Sequence, residues 1–340
     1  MNRFGMGCCT LWLVGACSAK NEAIDLVERL TETEARTGQI TDENALFSGI
    51  SAEGRVGDWK IYNNRVQFIV QGDRPGDYYV DYPGVVVDAD VVREADEVGQ
   101  EFIDEWTSVV GLGRLLKPDT ITVLSDGLDG GAAVLEVRGK EAPFELITGA
   151  AESPELIPNL GMEMVTTYTL QPDSSVLEVR TRVTSPSQEV TITVGDVLLA
   201  STDVSSLWEP NVGFNAPNDG PRRFTAYTAN DTDGALAIVA ASNQQLGTGP
   251  LSLLAELTDL AAMTSESLTL GQGQSTEYTR YYAVGRDIGD ITDTLLEIDG
   301  VASELFEHVV TTDEGPVDGA RVTILLDGVP WTQTLSDASG

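Results

Sequence analysis

The sequence predicts a mainly β protein: a large antiparallel β-sandwich followed by the start of a small Ig-like β-sandwich. Three observations carry that expectation. From about residue 48 onward, apolar and polar side chains alternate with a period of two in run after run, separated by Gly, Pro, Asn and Asp. Helical periodicity is confined to short stretches. The 340 residues include 41% hydrophobic side chains and 34 glycines, enough for a sizeable core. That composition excludes a wholly disordered or collagen-like chain.

Taken in order, the first element is an apolar leader. Arg3 precedes an uncharged run from Phe4 to Ala16. As a helix it spans about 20 Å, short of a ~30 Å hydrocarbon core, so residues 1–16 read as an export signal rather than a membrane span. Residues 17–47 follow as a polar, acidic tether. Ile24, Val27 and Leu30 sit at helical spacing there, which predicts a short helix; a solvated linker fits equally well.

The β pattern opens with a hairpin. Trp59-Lys60-Ile61-Tyr62 and Arg65–Val70 flank Asn63-Asn64, and asparagine tolerates the positive φ of a type I′ loop. The implied register sets Ile61 against Val66 and Trp59 against Phe68, leaving Lys60, Arg65 and Gln67 for solvent or the sheet rim. Further strands are predicted at Ile121–Leu124, Ala133–Arg138, Met164–Leu170, Val176–Val183, Val190–Val194, Ala235–Ala240, Tyr278–Val284 and Val322–Leu326. Those at Met164–Leu170, Val176–Val183 and Val190–Val194 read as a meander with one wet face. Ile288, Ile291, Leu295 and Ile298 predict a helix ended by Gly300. That helix closes a β-sandwich domain spanning 48–300, and residues 307–340 begin a second unit.

Charge narrows the function classes. The chain carries 54 acidic and 20 basic residues, a net charge of −34. Such a field repels phosphate backbones, so no nucleic acid is expected as a partner. His308 is the only histidine, which leaves no second one to share a zinc or iron site. No nucleophile elbow, P-loop or dinucleotide fingerprint occurs. Neither metal, cofactor nor catalytic residue is therefore assigned. A carboxylate pair across a cleft would suffice for glycoside hydrolysis. Glu163 and Asp196 are the first to check because both flank predicted strands, although solvated rim carboxylates are the commoner outcome.

The loop Asp73–Pro83 supplies the candidate ligand contacts: Tyr78, Tyr79, Tyr82, Asp77 and Asp81. Tyrosine faces stack on sugar CH surfaces and carboxylates accept hydroxyl hydrogen bonds. The plainer reading is a connection whose tyrosines pack on the sandwich edge. Acidic loops at Asp126–Asp129, Asn215–Asp219 and Asn230–Asp233 lack the regular ligand ladder of a calcium loop.

Resemblances extend this reading. Leu13-Val14-Gly15-Ala16-Cys17 resembles the bacterial lipoprotein box. By that resemblance, Cys17 is lipidated after cleavage before it, and Ser18 implies sorting to the outer membrane or cell surface. Cys8 and Cys9 lie in the removed segment, so no disulfide remains. Gly57–Gln71 and Met164–Leu199 resemble the N-terminal region of large multidomain bacterial surface lipoproteins. In those proteins the region precedes carboxypeptidase-regulatory-like modules and often a PHP-type metallohydrolase domain. The strand texture is similar to the supersandwich of mutarotase-like and polysaccharide-lyase proteins. Mutarotase-like catalysis uses histidine, and this chain departs from that pattern. Asp313–Ile324 and Thr334–Gly340 resemble the opening of a carboxypeptidase-regulatory-like module, which makes 307–340 a truncated module.

The resulting expectation is a lipid-anchored, surface-exposed, non-catalytic β-sandwich that positions downstream domains and binds glycan or protein. The membrane is a partner through Cys17. The alternative is the leading part of a glycan-processing enzyme or PHP-type metallohydrolase whose catalytic domain lies beyond residue 340.

Overall fold

A computed structural model describes residues 24–76, 78–111, 113–146, 157–185, 188–200, 205–214, 221–242, 244–245, 247, 267–305 and 307–340, and the backbone of 260–264. The leader, Cys17 and Asp77 lie outside the described residues.

The first half of the chain contributes β1 Ala35–Gln39, β2 Trp59–Asn63, β3 Val66–Val70, β4 Val86–Val91, β5 Ile103–Val110, β6 Arg114–Ser125, β7 Ala133–Pro143, β8 Glu163–Leu170 and β9 Val176–Thr184. The second half adds β10 Val190–Ile192, β11 Val194–Ala200, β12 Ser205–Trp208, β13 Phe224–Ala229, β14 Ala235–Ala240, β15 Leu260–Thr264, β16 Leu268–Leu270, β17 Ser275–Gly285 and helix α1 Ile288–Ile298. Two hairpins end the chain: β18 Thr311–Thr312 with β19 Gly315–Pro316, and β20 Arg321–Leu326 with β21 Val329–Leu335.

The protein is mainly antiparallel β. One 15-stranded sheet runs β1 to β9 in sequence order, then β17-β14-β13-β12, and β11 joins it by pairing with β5 and β15. The sheet folds over on itself as a sandwich: β1 faces β7, β2 faces β7 and β8, and β4 faces β17. The main core between these layers includes Ile61, Phe68, Trp106, Leu135, Tyr168, Leu177, Ile238 and Tyr282. A second core on an outer face joins Leu26, Leu30, Ile40 and Ala45 to Tyr62, Ile69, Val80 and Tyr82. A third lies under α1, where Ile288, Ile291 and Leu295 pack on Trp208, Phe224 and Ala237.

Alternation explains the individual strands. In β9, Leu177, Val179, Thr181 and Val183 are buried while Arg180 and Arg182 are exposed. The long β6–β7 hairpin bends at Pro118, which lacks a ladder donor. Gly139 sits opposite, and a Cβ there would come within 2.0 Å of the Lys117 carbonyl. Helix α1 forms as its spacing predicts. Asp287 caps its start, and Gly300 ends it at φ +63°. Val301 N donates to the Leu296 carbonyl and Gly300 N to that of Glu297, which completes a Schellman motif.

Several expectations are corrected. The tether is no solvated linker across its described part, 24–47, because Leu26, Leu30, Ile40 and Ala45 are buried and β1 extends the sheet. Ile24, Val27 and Leu30 form no helix, and the segment's one helical turn is a short 3-10 turn at Glu43–Ala45. That segment covers the outer face of β2 and β3, so Lys60 is buried rather than solvated. The first hairpin pairs Ile61 with Phe68 and Trp59 with Val70, placing its loop one residue later than expected. Among the described non-glycine residues only Asn211 and Asp327 have positive φ, so the loop is not type I′. Instead the Asn63 side chain accepts from Arg65 N and Val66 N. The three-strand meander also fails at its third member: β9 pairs with β17, whereas β10 pairs with β16 and β11 with β5.

The terminal hairpin is docked. Thr292 of α1 and Thr332 of β21 share a hydroxyl hydrogen bond of 2.7 Å. Asp287 accepts from Thr334 Oγ1 at 2.7 Å and Leu335 N at 2.9 Å. On the other side Leu325 and Leu326 are exposed, while Val322 and Ile324 are half-buried over a cavity of about 790 Å³.

Candidate functional site

The tyrosine loop joins β3 to β4, and its ends are pinned by buried polar groups. The Asp58 carboxylate accepts from Gly72 N at 2.7 Å and from Arg74 Nε at 3.0 Å. Gln71 N donates to the Val85 carbonyl, and Gly84 N donates back to that of Gln71. The tip is held from beneath by Glu105 of β5, whose carboxylate accepts from Tyr79 N and Val80 N, each at 2.9 Å. Burial pushes Glu105 up to about 7 against the pull of those two N–H groups, and the Asp104 and Asp81 charges add to the rise.

This anchoring divides the five nominated residues. Val80 and Tyr82 point inward, and the Tyr82 hydroxyl donates to the Pro143 carbonyl at 3.2 Å with Lys117 Nζ over its ring. Tyr82 is therefore a packing residue rather than a ligand contact. Tyr78 and Tyr79 are 57% and 37% exposed, with ring centroids 6.2 Å apart and planes inclined by 34°. Asp81 is exposed beside them. Asp77 lies outside the described residues. The structure thus brings Tyr78, Tyr79 and Asp81 together at the surface on a loop whose backbone is fixed.

The two nominated catalytic carboxylates do not share a cleft. Glu163 opens β8 on the exposed surface. Asp196 of β11 is fully buried and accepts from Arg280 Nε at 2.7 Å, Arg280 Nη2 at 2.5 Å and Tyr282 Oη at 2.6 Å. Arg280 is also fully buried; it donates further to Ser108, to Thr181 Oγ1 and to the Val179 carbonyl. Trp106 stacks on Tyr282 at 3.8 Å, and Tyr278 stands 4.9 Å from the guanidinium. Burial pushes the Asp196 carboxyl up, opposed by Arg280. Burial likewise pulls Arg280 down, but the Asp196 charge overrides it and the guanidinium ends above its ordinary value. The pair is a neutralised core cross-link with no open face for substrate. Sequence reasoning missed Arg280, although its signal was present: an arginine in phase with Tyr278 and Tyr282 along one strand face.

A further carboxylate belt surrounds the loop base. Asp88 accepts from Glu53 N and Gly54 N, and burial pushes it up to about 7. Glu101, fully buried, accepts from Ile103 N, and burial raises it well above the ordinary range. Among the described residues no group of three or more His, Cys, Asp or Glu side chains could hold a metal ion. Asp126 and Asp129 instead accept from Leu128 N and Gly131 N within their own loop. His308 is exposed at the edge of the terminal cavity. No helix among the described residues is long and apolar enough to cross a membrane.

No family model matches the chain, and no curated protein matches it. Among solved structures, a GH36 alpha-galactosidase from Geobacillus stearothermophilus is similar at 10% identity and a TM-score of 0.42, over 71% of this chain and 42% of that one. A galactose mutarotase-like protein from Lactobacillus casei is similar at 9% identity and a TM-score of 0.36, over 67% of this chain and all of that one. A TPR-domain-containing protein from Parabacteroides distasonis is similar at 12% identity and a TM-score of 0.37, over 67% of this chain. The match spans 47% of that protein's length.

Proposed function

We propose that this chain is a non-catalytic recognition module, exported, lipid-anchored through Cys17 at the bacterial outer membrane or cell surface, which binds glycan through the Tyr78–Tyr79 face and positions further domains. The observation that carries the reading is the exposed tyrosine pair on a backbone held by Glu105. A backbone fixed before binding reduces the entropy lost when a sugar stacks on the rings it carries, and Asp81 follows them on the same exposed loop to accept hydroxyl hydrogen bonds. A catalytic pair of Glu163 and Asp196 within this chain lacks comparable support, since Asp196 is consumed by Arg280; the alternative reading is that the module leads an enzyme whose catalytic domain lies beyond residue 340. Lipid anchoring rests on the resemblance at Leu13–Cys17.

The test is the double substitution Tyr78→Ala, Tyr79→Ala in the full chain, read on a glycan array and by binding to cell surfaces. Binding should fall at least about tenfold, while stability stays within about 0.5 kcal/mol because both rings are exposed. Binding that survives unchanged makes the loop structural. For the anchor, Cys17→Ala should abolish fatty-acid labelling and detergent-phase partitioning; persistent labelling rejects it.

A further inference from the structure

The face of β2, β3 and β4 turned away from the main core is roofed by the N-terminal segment. Between roof and sheet lies a cavity of about 610 Å³, within the roughly 300–1,000 Å³ common for small-molecule sites. Lys60 lines this cavity and is only 6% exposed. Its Nζ donates to the Ala45 carbonyl at 2.8 Å and stands 4.6 Å from the centre of the Tyr62 ring. An ammonium has three donors, and no carboxylate among the described residues lies within ion-pair distance of this one.

The surrounding acids are committed elsewhere. From the roof, Glu28 pairs with Arg36 at 2.5 Å, and Arg29 pairs with Glu94 at 2.8 Å. On β4 and the loop after it, Asp90 pairs with Arg93 at 2.9 Å and Glu97 with Arg286 at 2.8 Å. In a chain of net charge −34, a buried cation without a counter-ion is an anomaly that a bound anion would resolve. Glu28, Asp90, Glu94 and Glu97 line the same cavity, so they disfavour a doubly charged phosphate or sulfate and leave a single carboxylate as the better fit. The remaining lining is mixed: Leu46 and Phe47 offer apolar surface, while Asn44 and Gln67 offer amides. Apolar faces, hydroxyl partners and one negative charge are the features of a sugar acid.

We propose that the cavity over β2–β4 binds a sugar acid of the hexuronate class, with its carboxylate on Lys60 and its ring against Leu46 and Phe47. The site is separate from the tyrosine loop, so neither reading depends on the other.

Isothermal titration of the full chain with glucuronate and galacturonate tests it, with galactose and acetate as controls. A uronate should bind saturably, galactose should not, and acetate should bind at least about tenfold more weakly. Lys60→Met, close in length and free of charge, should lose about tenfold or more of the affinity, whereas Tyr78→Ala, Tyr79→Ala should leave it unchanged. A second measurement does not require the variant to fold. Burial pushes the Lys60 ammonium down to about 8, while burial holds the neighbouring Tyr62 phenol up at about 12. The other charges facing Lys60 are the paired groups named above. Uronate affinity of the unaltered chain should therefore fade as the pH rises past about 8. Absence of uronate binding, equal binding of galactose or acetate, full affinity in a folded Lys60→Met chain, or flat affinity from pH 6.5 to 9.5 would each overturn the proposal.

Discussion

Replacing Asp196 with asparagine tests whether the buried Arg280 pair holds the two layers together. The substitution keeps the side-chain shape but removes the negative charge that receives two guanidinium donors and the Tyr282 hydroxyl at 2.5–2.7 Å. Arg280 then remains charged at 0% exposure, and an amide NH2 faces donors where an oxygen had been. Breaking a buried pair by removing one partner costs about 3–5 kcal/mol, most of it the penalty of the stranded charge. At about 2–4 °C per kcal/mol for domains of 150–250 residues, the midpoint of thermal unfolding should fall by about 6–20 °C. Circular dichroism and urea titration measure it. The double variant Asp196→Leu, Arg280→Met removes both charges and should be more stable than Asp196→Asn alone. A midpoint for Asp196→Asn equivalent to a loss of under about 1 kcal/mol, the level of an exposed ion pair, would refute the argument.

Two other outcomes follow from the same geometry. Asp88 and Glu105 are held near 7 and Glu101 well above its ordinary value, chiefly by burial. The folded chain therefore holds protons that the unfolded chain has released, and stability present below about pH 4 should decline as the pH rises to about 7. A thermal midpoint that is level or climbs between pH 5 and 7.5 would contradict this. Gly300→Ala forces a side chain into φ +63° at the end of α1 and should cost about 1 kcal/mol in urea unfolding; no loss would show that the Schellman turn relaxes freely.

Legibility in the sequence followed the number of wet faces an element has. Helix α1 and strand β9 each expose one side, so their apolar periods could be read directly. Strand β5 has no exposed residue although it contains Asp104, Glu105, Thr107 and Ser108, and alternation disappears when both faces are covered. The spacing of Ile24, Val27 and Leu30 suggested a helix, yet long-range burial of Leu26 and Leu30 decided the outcome. The first hairpin was recognisable, but its turn was set by Asn63, whose amide also donates to the carbonyls of Gln171 and Ser174 far along the chain. For the site, the exposed tyrosines were visible in the sequence while their support was not. Glu105 lies 26 residues from Tyr79 in an unremarkable run, and Lys60 looked like a rim residue until the N-terminal segment covered it. A total of 54 acids hides the few that matter.

Asp287 has one carboxylate and two clients. One oxygen caps the first turn of α1, and the other grips Thr334 and Leu335 of the terminal hairpin. The joint is consequently a latch rather than a hinge. Swivelling the hairpin would uncap the helix, and fraying the helix would release the hairpin, so a pull applied to β21 arrives at the start of α1 and, through the short turn before it, at β17. Mechanical load on the tail is thereby delivered to the strand that carries Arg280, the most deeply secured part of the sandwich.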